Sequence, residues 1–363
     1  MHNGHHRVEL AYSLVKGAAS SDLVLHPLFQ MLDAVERRGS ISAAARTLGL
    51  SYRHVWGELK RWEEDFDRLL IVWEKGQKAR LTEFGQKLLW AERHAQSRLA
   101  PQIAALRADL ERAFGLAFDD EAHVLPITAS HDDALALLRQ HVQPTSLYLD
   151  LRFSGSLDAL SAMADGRVQL AGFHVPVAGQ IPAECRKELV AQMAQALGAL
   201  KVKAVCLARR QQGLIVESGN PLKIRGLDDL LLGRFRFVNR AQGAGTRLFV
   251  DSWLKAKGLT GEAIKGYRYE EPSHAAVAEA VRTGGADLGL GLESVARARG
   301  LGFVPLFQED YWLALHHDGL NDPAIKALLA RLQEPSWQAV LADLEGYQPP
   351  ASQALVAVGT VLG

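Results

Sequence analysis

Five hydroxyl residues stand where a strand-like run gives way to a helix-like one: Ser130, Ser154, Ser156, Thr246 and Ser273. The first turn of a helix carries unpaired N–H donors and a partial positive charge, so it can hold an anion without any cation. A hydroxyl there adds a neutral donor. Gly155, Gly243 and Gly245 share these turns, where a missing side chain lets backbone amides approach a ligand closely. Arg240 and Arg247 flank the stretch AQGAGT, and His131, His174 and His274 each fall at a strand end or a helix start. Singly, such a serine is an ordinary helix cap and such a histidine an ordinary structural group. Gathered at the carboxyl ends of strands, they line a crevice with donors for a small anion.

Other chemistries find less support. GAGT lacks the Gly-Lys-Ser/Thr ending of a phosphate loop. The pairs Asp132–Asp133 and Glu270–Glu271 read as helix caps or a solvated rim rather than catalytic carboxylates. No nucleophile–base pair, metal quartet or cofactor motif occurs at usable spacing, so neither an enzyme nor a resident metal or cofactor is expected. Cys185 and Cys206 match no zinc or redox spacing. Forty-one cations balance forty-one anions, so total charge points to no partner. Residues 1–115 hold 17 Lys/Arg against 14 Asp/Glu, a slight basic bias at the front. No apolar run reaches the roughly 18 residues of a membrane span, and MHNGHHRVEL has no secretory pattern. A cytoplasmic chain with no membrane partner is expected. The HNGHH run reads as a frayed end rather than a metal site.

The elements that must position the donors follow from periodicity. At 363 residues the chain exceeds one ordinary core. After Phe118, six strand patterns are interspersed with amphipathic helix patterns, which means parallel strands with crossover helices.

The front of the chain is different. HPLFQMLDAVERRGS places Leu28, Met31, Leu32 and Val35 on one helical stripe ending at Gly39. Ser40 or Ser42 can cap a second, alanine-rich helix closed by Gly49. Ser51 caps a third, YRHVWGELKRWEEDF, with Val55, Leu59 and Trp62 facing inward. Helix, tight turn and helix make a helix-turn-helix unit, whose second helix enters the major groove. Tyr52, Arg53, His54, Trp56 and Lys60 then face DNA with Ser40, Ser42 and Ser51, and LLIVWEKGQKARLT forms a hairpin presenting Lys75, Lys78 and Arg80 to phosphates. A long helix follows from Glu83. Its Leu99, Ile103, Leu106, Leu110 and Ala113 repeat as a helix-pairing seam, with a kink or break expected at Pro101.

GSISAAARTLGLSYRHVWGELKRWEE followed by LTEFGQKLL resembles the N-terminal domain of ModE-type molybdate-responsive repressors, winged helix-turn-helix modules related to the LysR group. The resemblance implies a homodimer, with a tetramer left open, on a two-fold site in double-stranded DNA with half-sites about 34–36 Å apart. ITASHDDAL, GSLDAL, NRAQGAGTR, GYRYEEPSHAAVAEAV and GADLGLGLESVA resemble the periplasmic-binding-protein-like domain of cytoplasmic regulators, which is similar to type II oxyanion receptors. That implies two α/β lobes joined by two crossing strands, with a ligand between them.

The expected architecture is α/β. A winged helix-turn-helix spans 22–82 and a linker or dimerisation helix 83–115. A two-lobed, type II periplasmic-binding-protein-like domain spans 120–345, and 346–363 form a C-terminal tail. Lobe one covers about 124–207 and 305–345, lobe two about 212–302. The implied function is a transcriptional regulator that senses a small oxyanion, molybdate or tungstate first and a carboxylate such as formate second. An enzyme acting on a small anionic metabolite is the alternative of another class.

Overall fold

In the computed structural model, residues 26–73, 78–119, 121–142 and 146–363 are described. The chain divides into two compact units, Met1–Ile103 and Ala104–Gly363.

In the first unit, α1 (Pro27–Arg38) begins with proline at its first turn, where the missing N–H costs nothing, and buries Leu28, Met31, Leu32 and Val35. It ends at Gly39, whose N–H bonds Val35 O at 2.8 Å. Ser40, not Ser42, caps α2 (Ile41–Thr47) by accepting from Ala43 N. Ser51 caps α3 (Tyr52–Phe66) by accepting from His54 N at 3.1 Å. Val55 and Leu59 point into the core as expected, but the third buried residue of α3 is Glu63, and Trp62 is only half-buried. Glu63 Oε1 accepts from Leu70 N (2.8 Å) and Ile71 N (3.1 Å), and its Oε2 from Lys60 Nζ (2.6 Å). It thereby pins the start of the hairpin to the third helix. The hairpin strands β1 (Ile71–Val72) and β2 (Arg80–Leu81) pair antiparallel. Then α4 runs unbroken over Glu83–Phe118. The break expected at Pro101 is absent: a proline removes one backbone donor, and the neighbouring turns carry the helix through.

The second unit is a sheet wrapped by helices. In chain order it comprises β3 (His123–Ala129), α5 (Asp133–Val142), β4 (Leu147–Phe153), α6 (Ser156–Ala164), β5 (Leu170–Pro176), α7 (Ala183–Leu197) and β6 (Val202–Val216). There follow β7 (Phe237–Arg240), α8 (Gly245–Ala256), β8 (Glu270–Glu271), α9 (His274–Arg282), β9 (Leu288–Leu292), α10 (Glu293–Arg297) and β10 (Gly302–His316). The chain closes with α11 (Pro323–Leu332), α12 (Pro335–Ala342), β11 (Tyr347–Gln348), β12 (Val356–Ala357) and α13 (Val358–Leu362). The strand order is β4-β3-β5-β10-β6-β9-β7-β8. The flanks β4-β3-β5 and β9-β7-β8 are parallel, as the alternation requires. The two 15-residue strands β6 and β10 run antiparallel between them and belong to both lobes.

Two features differ from a plain pair of lobes. Helix α7 serves both cores: Cys185 and Leu189 pack with Phe249 and Trp253 of α8, while Met193 and Leu197 pack with Leu160 and Met163 of α6. Residues 346–363, expected as a tail, are folded in. There β11 and β12 pair with β6, and Val358 and Leu362 are buried. Among the described residues, no helix is long and apolar enough to cross a membrane.

Candidate functional site

Along the first unit, α3 presents its opening turn outward. Tyr52, Arg53 and His54 are exposed, and Tyr52 stacks on Trp56 with ring centroids 6.3 Å apart. Lys60 Nζ lies 5.0 Å from the centre of the Trp56 ring, a cation–π contact that keeps the charge beside the aromatic face. Ser42, Lys78 and Arg80 are exposed. The hydroxyls of Ser40 and Ser51 are engaged as caps. Ala79 N bonds Gly39 O at 2.9 Å, which ties the hairpin arm bearing Lys78 and Arg80 to the α1–α2 turn. Lys75 lies outside the described residues. The surface so formed offers cations and stacked rings for phosphates and base edges.

In the second unit, the turns at the carboxyl ends of β3, β4, β5 and β7 meet. His174, on β5, is the centre of the meeting. Its Nδ1 lies 3.2 Å from Ser130 Oγ and 3.3 Å from Ser156 Oγ. On the other side of the ring, a Cβ added at Gly245 would fall 2.2 Å from Nε2. A Cβ added at Gly155 would fall 2.3 Å from Gly243 O. Both glycines therefore exist for close approach between the lobes: the β4–α6 turn touches the β7–α8 turn, and His174 touches the opening of α8. Ser294 of α10 also donates to Asp133 Oδ2 at 2.8 Å, a further bond between lobes.

Two of the converging helix openings keep their donors. The caps of α6 (Gly155) and α8 (Ala244) supply no side-chain hydrogen bond, so the first-turn N–H groups there are not consumed by a capping side chain. The other two openings are already capped. Asp132 Oδ1 accepts from Ala134 N at the start of α5 (2.8 Å), and Ser273 Oγ accepts from Ala276 N at the start of α9 (3.1 Å). Ser154 bonds locally to Gly155 O, and Thr246 is buried in the first turn of α8. His131 packs on Phe153 at 5.0 Å.

The charges sort clearly. Arg247 is committed to Asp251 (2.9 Å) and Glu270 (2.6 Å) and stacks on Tyr267, so the structure does not bring its guanidinium to the cleft as a spare cation. Arg240 is the opposite case. Its Nη2 donates to Pro272 O at 3.0 Å, its Nε is buried without a hydrogen-bond partner, and among the described residues it joins no ion pair. Burial, with Arg210 nearby, brings its pKa down to about 10, so it stays charged near neutrality. His274, 8% exposed at the first position of α9, has a buried Nδ1 with no partner. Burial, then Arg240, Arg210 and the other histidines, holds its pKa well below the ordinary imidazole value. Burial likewise pushes His174 down to about 4, against the pull of Glu309. Both imidazoles are neutral near pH 7.

Behind these groups lies a buried network that sequence reading missed. Arg210 of β6, 1% exposed, bonds Glu309 of β10 (2.7 Å) and Asp132. Asp132 also accepts from Tyr347 OH (2.9 Å), and Glu309 from Gln212 Nε2 (2.8 Å). The network rigidly joins the two shared strands to the opening of α5 and the chain's C-terminal segment. Asp132 is thus a buried structural carboxylate, not part of a solvated rim. The available signal was a pair of adjacent charged residues inside each of two largely apolar strands, Arg209–Arg210 and Glu309–Asp310, which a two-residue period sends to opposite faces. Arg209 does pair with Asp310 on the other face, at 2.6 Å.

A regulator made of a DNA-binding head and an effector-binding domain is the class that this fold defines. Residues 27–86 match the bacterial regulatory helix-turn-helix protein, lysR family, and residues 137–333 match the PBP superfamily domain. The chain belongs to the PBP superfamily, and its head is similar to the helix-turn-helix of lysR-family regulatory proteins. Among relatives, the uncharacterized protein YvgK of Bacillus subtilis is 29% identical over 226 residues, which are 61% of this chain and 70% of that protein. The uncharacterized protein in the ferredoxin 2Fe-2S gene 5' region of Clostridium pasteurianum is 33% identical over 101 residues, 28% of this chain and 89% of that one. A solved structure of an OxyR mutant from Corynebacterium glutamicum overlaps 86% of this chain and 92% of its own, at 13% identity and a TM-score of 0.41.

Proposed function

We propose that the effector of this regulator is a small oxyanion, molybdate or tungstate in the first place, held between the lobes by the openings of α6 and α8. The observation that carries this reading is the guanidinium of Arg240, which joins no ion pair among the described residues and sits at the end of the strand leading into α8, together with two helix openings whose N–H donors no side chain caps. A half-buried cation that no carboxylate pairs with is costly, and an anion in the cleft would relieve that cost. Ser130, Ser156 and His274 would supply the remaining donors, and a tetrahedral oxyanion has enough oxygens to use donors from both lobes. The resemblance of both halves to molybdate-linked families puts molybdate and tungstate ahead.

Formate is the second reading, and the same residue favours it: one guanidinium matches one carboxylate in charge and in bidentate shape. In either case closure around the anion is a population shift, since the ligand prefers closed lobes to open ones. In a homodimer paired through α4, where Leu99 and Leu106 are exposed, that shift would reset the spacing of two heads on double-stranded DNA. The test is thermal melting of the full chain with molybdate, tungstate, sulfate and formate in turn. Binding to the native state raises the melting temperature. A rise with molybdate or tungstate supports the first reading, a rise with formate alone moves the assignment to formate, and no rise with any of them refutes an oxyanion effector.

A further inference from the structure

The cleft's own charges create a difficulty for a doubly charged ligand, and its resolution deepens the oxyanion reading on which it rests. Asp132 and Glu309 both pair with Arg210, so that trio carries one negative charge in excess, against the one positive charge of unpaired Arg240, while His174 and His274 are neutral. Glu271 lies buried at the end of β8, in register with Arg240. A dianion entering here meets no net positive charge. We propose that the cleft captures a dianionic oxyanion together with a proton, taken from solvent onto His174.

The geometry singles out His174 over His274. The charged and titratable groups that face His174 are Glu309 and Tyr311 of β10, Asp132 at the opening of α5, Arg210 of β6, Arg240 of β7 and His274 of α9. Two carboxylates in that set favour an imidazolium. The groups acting on His274 are Arg240, Arg210, His174 and His131, none of them an acid. His174 also contacts the donors that an anion needs. Its Nδ1 is within hydrogen-bond reach of both Ser130 Oγ and Ser156 Oγ, and its Nε2 faces the opening of α8 at Gly245. A neutral ring has one lone pair, on one nitrogen or the other. On Nδ1 it draws in a serine hydroxyl hydrogen and withholds it from the cleft. On Nε2 it sets an acceptor against the helix opening that the anion would use. The imidazolium has no lone pair, so Nδ1–H donates to a serine oxygen and the hydroxyl hydrogens turn towards the anion. One proton thus adds a positive charge and, from the tautomer with its lone pair on Nδ1, also frees one neutral donor. His174 is in this sense a positioning residue that sets the cleft's preference for dianions.

Calorimetric titration of the full chain tests this. Sodium molybdate and, separately, sodium formate are titrated at pH 7 in buffers of differing ionisation enthalpy, and the slope of apparent enthalpy gives the protons taken up. Molybdate is expected to bring in about one proton and formate less, with the molybdate Kd weakening about tenfold per pH unit between about pH 6 and 8. His174→Asn places an amide where Nδ1 stands and cannot titrate. It is expected to bind molybdate with no proton uptake and a flat pH profile. Molybdate binding to the natural chain without proton uptake, or unchanged uptake in H174N, overturns the proposal while leaving the oxyanion reading standing. Should neither anion bind the natural chain, both fall together. If H174N does not fold, the buffer series on the natural chain decides alone.

Discussion

Replacing Gly155 by alanine tests whether the two helix openings press together around the effector. The residue caps α6 at φ −67° and ψ 160°, a backbone conformation that alanine adopts freely. Its added methyl would lie 2.3 Å from Gly243 O and 2.9 Å from Gly243 C, both backbone atoms of the facing lobe. No side chain can swing away to make room, so the lobes must part by roughly 1 Å to restore ordinary contact, and overpacking of this kind costs about 1–3 kcal/mol. The cost falls on the closed arrangement alone. A ligand that binds between closed lobes should therefore lose roughly 5- to 150-fold in affinity. The unliganded chain should lose only the few tenths to about 1 kcal/mol of a poorer helix cap. Calorimetric titration with the effector gives the first quantity and urea denaturation the second. A Kd within twofold of the natural chain, with the fold intact, would refute the idea that effector binding closes these turns on each other.

Four further outcomes are expected. Arg240→Gln should weaken anion binding by about 1.5–3 kcal/mol, the worth of hydrogen bonds to a charged group, yet leave stability equal or higher, because a half-buried cation without an ion-pair partner is removed. A stability loss without an affinity loss would assign Arg240 to structure. Arg210→Leu strands Asp132 and Glu309 and should cost about 3–5 kcal/mol in urea denaturation. A loss below about 1 kcal/mol would show that the buried network does not anchor the shared strands. Arg53→Ala should weaken operator binding by about 1–3 kcal/mol and relax one base preference, and an unchanged footprint would remove Arg53 from base reading. For pH, His174 has its folded-state pKa depressed from 6.5 to about 4, so below 6.5 the unfolded chain binds more protons. Unliganded stability should accordingly fall as pH drops from 6.5 towards 4, by up to roughly 3 kcal/mol from this group. H174N should flatten that fall, and an equally steep fall in H174N would place its origin elsewhere.

The helical head was legible because its determinants are local. An apolar stripe with a glycine stop gives α1 and a serine cap gives α3 almost residue by residue, and the apolar stripe of α1 is the buried one. Glu63 escaped because its partners are the amides of Leu70 and Ile71, and no residue pattern marks a carboxylate that reaches across a turn. In the second unit, strand–helix alternation shows the parallel flanks, and hydroxyls and glycines at helix starts point to the turns that meet. It cannot rank those turns. Ser273 and Asp132 spend themselves as caps, whereas Gly155 and Ala244 leave their helices open, and only the fold distinguishes the two cases. The two arginines around AQGAGT are equivalent in sequence. Asp251, one helical turn beyond Arg247, is the local sign that this arginine is already paired. The Arg210 network joins residues 78 and 99 positions apart, a separation at which periodicity carries no information. Helix α7 shows an ordinary apolar face, and nothing in its pattern tells that its two halves enter different cores.

The account rests most heavily on the anion site, and titration of the purified full chain with molybdate and tungstate, alongside the double variant Ser156→Ala with Arg240→Gln, addresses it directly. The natural chain should show saturable heat at one site per chain, and the double variant, still folded by its melting curve, should show none. Heat of equal size in both proteins would contradict the placement of the site, and no heat from the natural chain with either anion would contradict the reading of the effector.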